Sequence, residues 1–121
     1  MTRRTMTLLT REAILTAQDL AHEDVPVPEW GGTVRVRTLT GAERDALGAA
    51  MVDADGKPDL VGYRCRMVAA SVVDEAGARL FSDADAAALG AKSASALDRV
   101  ASAVERINGM GAEAVEAAEK N

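Results

Sequence analysis

The sequence contains few aromatic residues and few of the side chains that enzymes use most often. Its 121 residues include one Trp, one Tyr, one Phe, one cysteine (Cys65) and one histidine (His22). A lone cysteine excludes an internal disulfide and favours a reducing compartment. One histidine and one cysteine cannot complete a three- or four-ligand zinc site without carboxylates. The composition therefore predicts a protein that is not an enzyme and that holds no metal and no cofactor.

Long apolar runs and runs of basic residues are also missing. No stretch reaches the roughly 18 apolar residues of a membrane-spanning helix, and the residues after Arg3 and Arg4 do not form a signal peptide. Acidic residues outnumber basic ones by 19 to 14, which argues against a nucleic-acid surface. We therefore expect a soluble protein whose partners are neither nucleic acid nor membrane.

Two segments begin like ligand-binding motifs and then depart from them. Residues 53–56 open like a calcium loop, but the twelfth position is Arg64, where that loop needs a glutamate. Asp-Gly followed by Lys-Pro predicts a turn there instead. The glycines at 31–32 and 109–111 match no phosphate-binding loop.

The residues that are present suffice for one folded domain. Hydrophobic residues make up 48% of the chain, which at this length supports a core without disulfides or metal. We predict a single domain over residues 1–121, with flexible ends at 1–10 and 110–121. Alanine is abundant and favours helix. The predicted fold class is α+β and mostly α-helical: a small helical domain with an N-terminal β-hairpin.

The strand pattern is concentrated in residues 24–39, and residues 72–81 are predicted to form a turn between two short extended pieces. Val34 and Val36 alternate with arginines, so they share one face of a strand. Pro26 and Pro28 cannot donate ladder hydrogen bonds, so the strand over residues 24–28 is predicted to lie at a sheet edge. Trp30, at the tip, has two interpretations: a plug that covers the helices, or an anchor for a partner.

Capping signals and apolar periodicity predict the helices. Thr10 can cap a short helix in which Ile14 or Leu15 supplies a buried contact. Thr40 and Glu43 form a capping box, and helices are expected to open at Asp59, Ser82 and either Ser93 or Ser95. The predicted core contains Leu47, Met51, Val61, Met67, Val68, Leu97, Val100, Val104 and Ile107.

Several sequence blocks, taken in order, resemble a known family. They are Val-Pro-Glu-Trp-Gly-Gly-Thr-Val at 27–34, the run from Leu39 to Asp45, Ser-Val-Val-Asp-Glu at 71–75, Leu-Phe-Ser-Asp at 80–83, and Ile-Asn-Gly-Met at 107–110. Over residues 11–121 this combination is similar to the tail assembly chaperones of long-tailed bacteriophages and prophages.

The resemblance implies a non-catalytic role in the host bacterial cytoplasm. Chaperones of this family bind the tape measure protein and help tail-tube subunits, the major tail protein, polymerise around it. They are absent from the finished virion, and many are also made as a longer product of translational frameshifting. For this chain we expect partner contacts from Trp30, Val34, Val36 and Val115, and self-association is a further option.

Two other interpretations remain open at this point. One is a structural phage component, such as a head–tail connector or a tail-completion protein, which stays in the virion. The other is an enzyme or small-ligand binder, which requires a pocket that brings together His22, Cys65 and a carboxylate.

Overall fold

A computed structural model describes residues 7–58 and 62–110, and it confirms the α+β class with an N-terminal hairpin. Within these residues the chain forms five α-helices and one three-stranded antiparallel sheet. No helix in the described ranges is long and apolar enough to cross a membrane. The elements are α1 (Arg11–Leu15), β1 (His22–Val27), β2 (Gly32–Arg37), α2 (Gly41–Ala49), α3 (Tyr63–Ser71), β3 (Val72–Val73), α4 (Ala86–Leu89) and α5 (Ala94–Ile107).

The sheet has the strand order β1-β2-β3, so the proline-containing strand lies at an edge as predicted. β1 and β2 pair along their whole length, with Pro26 opposite Thr33. β3 is much shorter and pairs only through Val72 and Val73, opposite Val36 and Arg35. The short extended piece predicted at the start of residues 72–81 is confirmed, because Val72 and Val73 form β3 and Val73 bridges to Arg79 across the predicted turn. That this third strand pairs with β2 is a finding of the structure. β3 gives the hairpin the additional partner that a two-stranded ribbon needs for stability.

The tip of the hairpin is a single 3-10 turn, Pro28–Trp30. Gly31 follows in the left-handed conformation, with φ at 72°, and its N–H donates to the Pro28 carbonyl at 3.0 Å. Glycine adopts this conformation without the penalty that a Cβ would bring. The tip therefore closes through Gly31, and Gly32 already belongs to β2.

Local capping determines where most helices begin. Thr10 caps α1 and Ser93 caps α5, and the Thr40–Glu43 capping box at α2 is complete. At Ser82, where a helix was predicted to open, Ser82 and Asp85 form a second capping box that opens a 3-10 turn (Asp83–Asp85) before α4. α3 begins at Tyr63 after Gly62, which is left-handed; the expected cap at Asp59 falls outside the described residues.

The core forms where α5 packs across β1 and β2 on one side and against α3 on the other. Leu47, Met67, Val68, Leu97, Val100 and Val104 are buried, as predicted. Met51 and Ile107 are only partly buried at the margin of this core, because Met51 lies in the turn after α2 and Ile107 is the last residue of α5. Val61 falls outside the described residues. The sheet adds Val25, Val27, Val36 and Val72 to the core.

Two turns of the chain share sequence and geometry. In residues 52–58 the Asp53 carboxylate accepts from the N–H groups of Asp55 and Lys57, at 2.9 Å each. In residues 73–79 the Asp74 carboxylate accepts from Ala76 and Ala78, at 2.8 and 3.0 Å. Both follow the pattern Val-Asp-x-x-Gly, with the glycine at positive φ. The predicted turn after Asp53 is therefore confirmed, and the molecule contains it twice.

Candidate interaction surface

The hairpin tip is attached to the body rather than projecting from it. The Glu29 carboxylate accepts from the Arg99 guanidinium at 2.9 Å, which links the tip to α5. A backbone hydrogen bond at Glu29 and the Arg99 guanidinium lower the pKa of this carboxyl. Trp30 is half-buried and packs against the core. One part of the ring thus supports the fold while another part stays in contact with solvent.

The other predicted contact residues lie in different environments. Val34 is half-buried near the start of β2, at the side that β3 leaves uncovered. Val36 is 0% exposed, beneath α5, because it lies on the inner face of the central strand. A side chain without accessible surface cannot contact a partner in this conformation, so the expectation for Val36 is dropped. Val115 falls outside the described residues.

The largest display of apolar side chains is the N-terminal arm, defined as residues 7–20. Seven large hydrophobic residues are exposed in the described ranges, and five belong to this arm. Ile14 and Leu15 are 57% and 66% exposed, so the prediction that α1 buries one of them is wrong. A five-residue helix is too short to present a continuous stripe to the core. The five are Leu8, Leu9, Ile14, Leu15 and Leu20.

Two arginines of β2 form ion pairs of different depth. Arg35 pairs with Asp24 across the strands at 2.7 Å, with both side chains well exposed. Arg37 pairs with Glu43 at 2.8 Å, and these side chains are only 16% and 22% exposed. Glu43 also accepts the Thr40 N–H at 2.9 Å, so one carboxylate connects strand β2 to the first turn of α2. The Arg37 guanidinium is the main reason that the pKa of Glu43 lies below its ordinary value.

A groove with an apolar floor lies between α2 and α3. Its cavity volume is about 160 Å³, and its floor is made of small side chains and one leucine. Arg79 at the rim donates to the Ala69 carbonyl at 3.0 Å and to Asp83 at 2.9 Å, and Arg66 donates to the Ala50 carbonyl. These polar groups already have partners, so the groove offers apolar contact rather than a charged site. The floor residues are Ala46, Leu47, Ala50 and Ala70.

The structure does not bring the chain's histidine and cysteine to a common pocket. His22 begins β1 and lines a groove at the outer face of the sheet. Cys65 lies on α3, half-buried, near Gly90 at the end of α4. In residues 7–58 and 62–110, no group of three or more His, Cys, Asp or Glu residues is placed to hold a metal ion.

Comparison with known proteins identifies a fold neighbour. No protein-family model matches the sequence, and no curated protein matches it. Among solved structures, the chain is similar to the tail assembly chaperone of bacteriophage HK97, with a TM-score of 0.54 and 20% sequence identity. The match covers 80% of this chain and 96% of that one. At this identity the likeness is one of fold: this chain and the HK97 tail assembly chaperone share an α+β architecture over nearly the full length of the latter.

Proposed function

We propose that this protein is a tail assembly chaperone of a long-tailed bacteriophage or prophage. In this role it binds the tape measure protein in the host bacterial cytoplasm, keeps it soluble and promotes polymerisation of the tail tube around it. The role is non-catalytic, and the protein leaves before the virion is complete. The observation that carries the proposal is the shared fold with the HK97 tail assembly chaperone over 96% of that chain.

The sequence supports the same assignment independently of the fold comparison. The blocks that resemble the family fall on structural features of this chain. The Pro-Glu-Trp-Gly-Gly block forms the hairpin tip, and the Thr-Gly-Ala-Glu block forms the capping box of α2. The Val-Val-Asp-Glu block forms β3 and the turn after it. The resemblance therefore concerns residues that build the sheet and its connections, rather than scattered surface positions.

We assign client binding chiefly to the N-terminal arm. Its four leucines and one isoleucine are exposed: Ile14 and Leu15 lie on α1, which buries none of its own residues, and the other three lie on either side of that helix. Single exposed apolar residues are common on protein surfaces, but a concentration of them marks an interaction site, and five of the seven in the described ranges lie in this arm. The arm thus gives a chaperone accessible apolar surface for a client, while the core below it remains closed. Trp30 at the hairpin tip is a second, smaller contact.

Co-expression with the tape measure protein from the same phage genome tests this function. We expect the tape measure protein to become soluble and to co-purify with this chain. Changing Ile14 and Leu15 together to Ser should abolish co-purification and leave the melting temperature unchanged. Val52→Ser is the matched control, because Val52 is also exposed (47%) but lies on a turn of the body; it should retain the client.

Trp30→Ala separates the two roles of the indole ring. Because the ring is half-buried, we expect a loss of unfolding free energy below the about 3–5 kcal/mol of a fully buried aromatic residue. If Trp30→Ala still folds but co-purifies with less tape measure protein, the exposed part of the ring takes part in binding. Full client recovery would leave Trp30 as a plug only.

The alternative is a structural component, such as a head–tail connector or tail-completion protein. Mass spectrometry of purified virions distinguishes the two, because a chaperone is absent from the particle and a connector is present. Detection of this chain in virions at a fixed copy number, together with a lack of complex in co-expression, would replace the chaperone assignment. The co-expression is repeated with a frameshift-extended product, if the gene encodes one, before that conclusion is drawn.

A further inference from the structure

The central strand β2 is only partly covered on the side that faces β3. β2 pairs with β1 over six positions, but β3 covers only Arg35 and Val36 on the other side. On the β1 side, the Thr38 N–H donates to the carbonyl of Ala21, the residue just before β1, at 2.9 Å. Peptide groups alternate between the two edges of a strand, so those of Thr33 are directed to the side of β3. No described residue of β3 pairs with Thr33 there.

The cause of this gap is the turn after β3. If the chain continued as a strand, Asp74 and Glu75 would lie opposite Val34 and Thr33, as the register of β3 requires. Instead the Asp74 carboxylate accepts from the N–H groups of Ala76 and Ala78 and forms an Asx turn. The chain therefore leaves the sheet after two residues and exposes the start of β2.

A groove occupies the space that results. It has a volume of about 370 Å³ and lies between the start of β2 and the turn after β3. Its apolar walls are Val34, Val73 and Leu80, and Leu80 is 58% exposed. Three carboxylates and one guanidinium surround it, from Asp24, Asp74, Glu75 and Arg35. The groove thus combines an open strand edge, an apolar lining and an excess of negative charge.

We propose that this groove binds a short extended segment of another protein, added to the sheet beside Thr33 as an extra strand. The chemistry of the segment follows from the groove: an apolar side chain toward Leu80, flanked by lysine or arginine near Glu75. Main-chain hydrogen bonds supply affinity in this mode of recognition, and the side-chain pockets supply specificity. The site stands independently of the N-terminal arm and of the function proposed above.

A second copy of this chain would fit the groove poorly, because its exposed strand has the wrong charge and lacks a main-chain donor. The exposed edge strand of a copy is β1, with the sequence His-Glu-Asp-Val-Pro-Val. Its acidic residues would approach the acidic rim of the groove, and Pro26 lacks the N–H that a ladder requires. The charge balance therefore favours a basic segment from a different protein.

The test uses a fluorescein-labelled peptide, acetyl-Lys-Thr-Val-Lys-Val-Thr-Lys-amide, and the full chain. We expect saturable binding by fluorescence anisotropy. The same peptide with N-methylated central residues keeps its side chains but loses main-chain donors, and it should bind about tenfold more weakly or worse. A peptide with Glu in place of Lys should also bind more weakly. Equal affinity of the N-methylated and unmodified peptides would overturn the proposal.

Substitutions in the protein test the same site independently of changes to the peptide. Thr33→Pro removes the N–H while Thr33→Ala keeps it, so only the proline variant should lose about tenfold or more in affinity. Glu75→Lys should weaken binding of the basic peptide, more strongly at low salt. Binding should also slow amide hydrogen exchange at Thr33. If Thr33→Pro does not fold, the N-methylated peptide and the exchange at Thr33 decide the question.

Size-exclusion chromatography of the unliganded chain tests whether a second copy of the chain fills the groove. A monomer, or an oligomer that Thr33→Pro leaves intact, agrees with a foreign segment. An oligomer that Thr33→Pro disrupts and Thr33→Ala does not would show that a second copy fills the groove, and the proposal of a foreign partner would fail. Because peptide binding needs no tape measure protein, its result is separate from the outcome of the co-expression test.

Discussion

Helices α1 and α5 begin in the same way and contribute very differently to the fold. In α1 the Thr10 hydroxyl accepts the Ala13 N–H, and in α5 the Ser93 hydroxyl accepts the Ala96 N–H. Yet α1 has five residues and buries none, whereas α5 has 14 and buries six. A cap thus determines where a helix starts, while an apolar stripe over several turns determines whether it joins the core.

The difference also separates stability from interaction. Removing apolar surface of α5 should damage the fold, and removing apolar surface of α1 should affect only what the protein binds. Local stability varies across one domain in this way when some segments have few buried contacts. Matched substitutions in the two regions test this division.

The largest effect is expected from a charge in the core. Val104 is 0% exposed, so Val104→Asp places an unpaired carboxylate among apolar side chains and should unfold or aggregate the protein. Ile14→Asp introduces the same charge on α1, where the side chain is already in water, and should leave the melting temperature unchanged. Circular dichroism melts measure both. Equal damage from the two variants would show that α1 belongs to the cooperative core.

The next effect concerns an acidic residue in the first turn of a helix. Glu43→Gln should lose about 1–2 kcal/mol of unfolding free energy at pH 7, because it weakens a half-buried, charge-assisted pair with Arg37. Glu12→Gln is the matched change in the first turn of α1, and it should have no measurable effect. Urea denaturation gives both values.

The pH dependence of the Glu43 effect has a definite sign. The folded-state pKa of Glu43 is lowered from the ordinary 4.5. Its contribution is therefore fully present above pH 4.5 and is lost as the pH falls through the lower folded-state value. The gap between wild type and Glu43→Gln should be constant from pH 5 to 7 and narrow below about pH 4.5. A gap that stayed constant to pH 3 would contradict this assignment.

A smaller effect is expected from the caps themselves. Ser93→Ala should reduce the unfolding free energy by about 1 kcal/mol, because α5 forms part of the cooperative core. Thr10→Ala removes the equivalent bond from α1 and should fray that helix without changing global stability. Amide hydrogen exchange can follow the fraying directly, with protection lost at Ala13 and Ile14 alone.

The smallest effect on stability is expected from the exposed ion pair between β1 and β2. Arg35 pairs with Asp24 on an exposed face, and surface ion pairs contribute little because water and salt screen them. Arg35→Ala should shift the melting temperature by no more than about 2 °C. A larger shift would contradict the assignment of this pair to a solvent-screened face of the sheet.

The sequence predicted the features that depend on neighbouring residues. The hairpin, the Thr40–Glu43 box, the Ser93 cap and the stripe of α5 all rest on spacings of a few residues, and the structure confirms them. The edge position of β1 followed from the two prolines at 26 and 28. These signals are local, so no knowledge of the tertiary fold was needed to interpret them.

The features that were missed depend on contacts between distant residues. β3 joins the sheet only because Val72 and Val73 meet β2 across more than thirty positions of chain. The open edge at Thr33 is a consequence of that short pairing, so it could not be derived without it. One of Ile14 and Leu15 was expected to be buried because isoleucine and leucine usually lie in the core. The shortness of α1 was the signal against that expectation.

The ion pair between Glu29 and Arg99 joins residues 70 positions apart, and this separation has a consequence for synthesis. At about 5–20 residues per second, translation makes the hairpin roughly 4 to 14 s before the helix that covers it. During that interval Val25, Val27 and Val36 lack their packing partner, and an isolated hairpin is marginal in water. Pro26 and the acidic residues of β1 therefore discourage intermolecular strand pairing when the nascent chain is most vulnerable to aggregation.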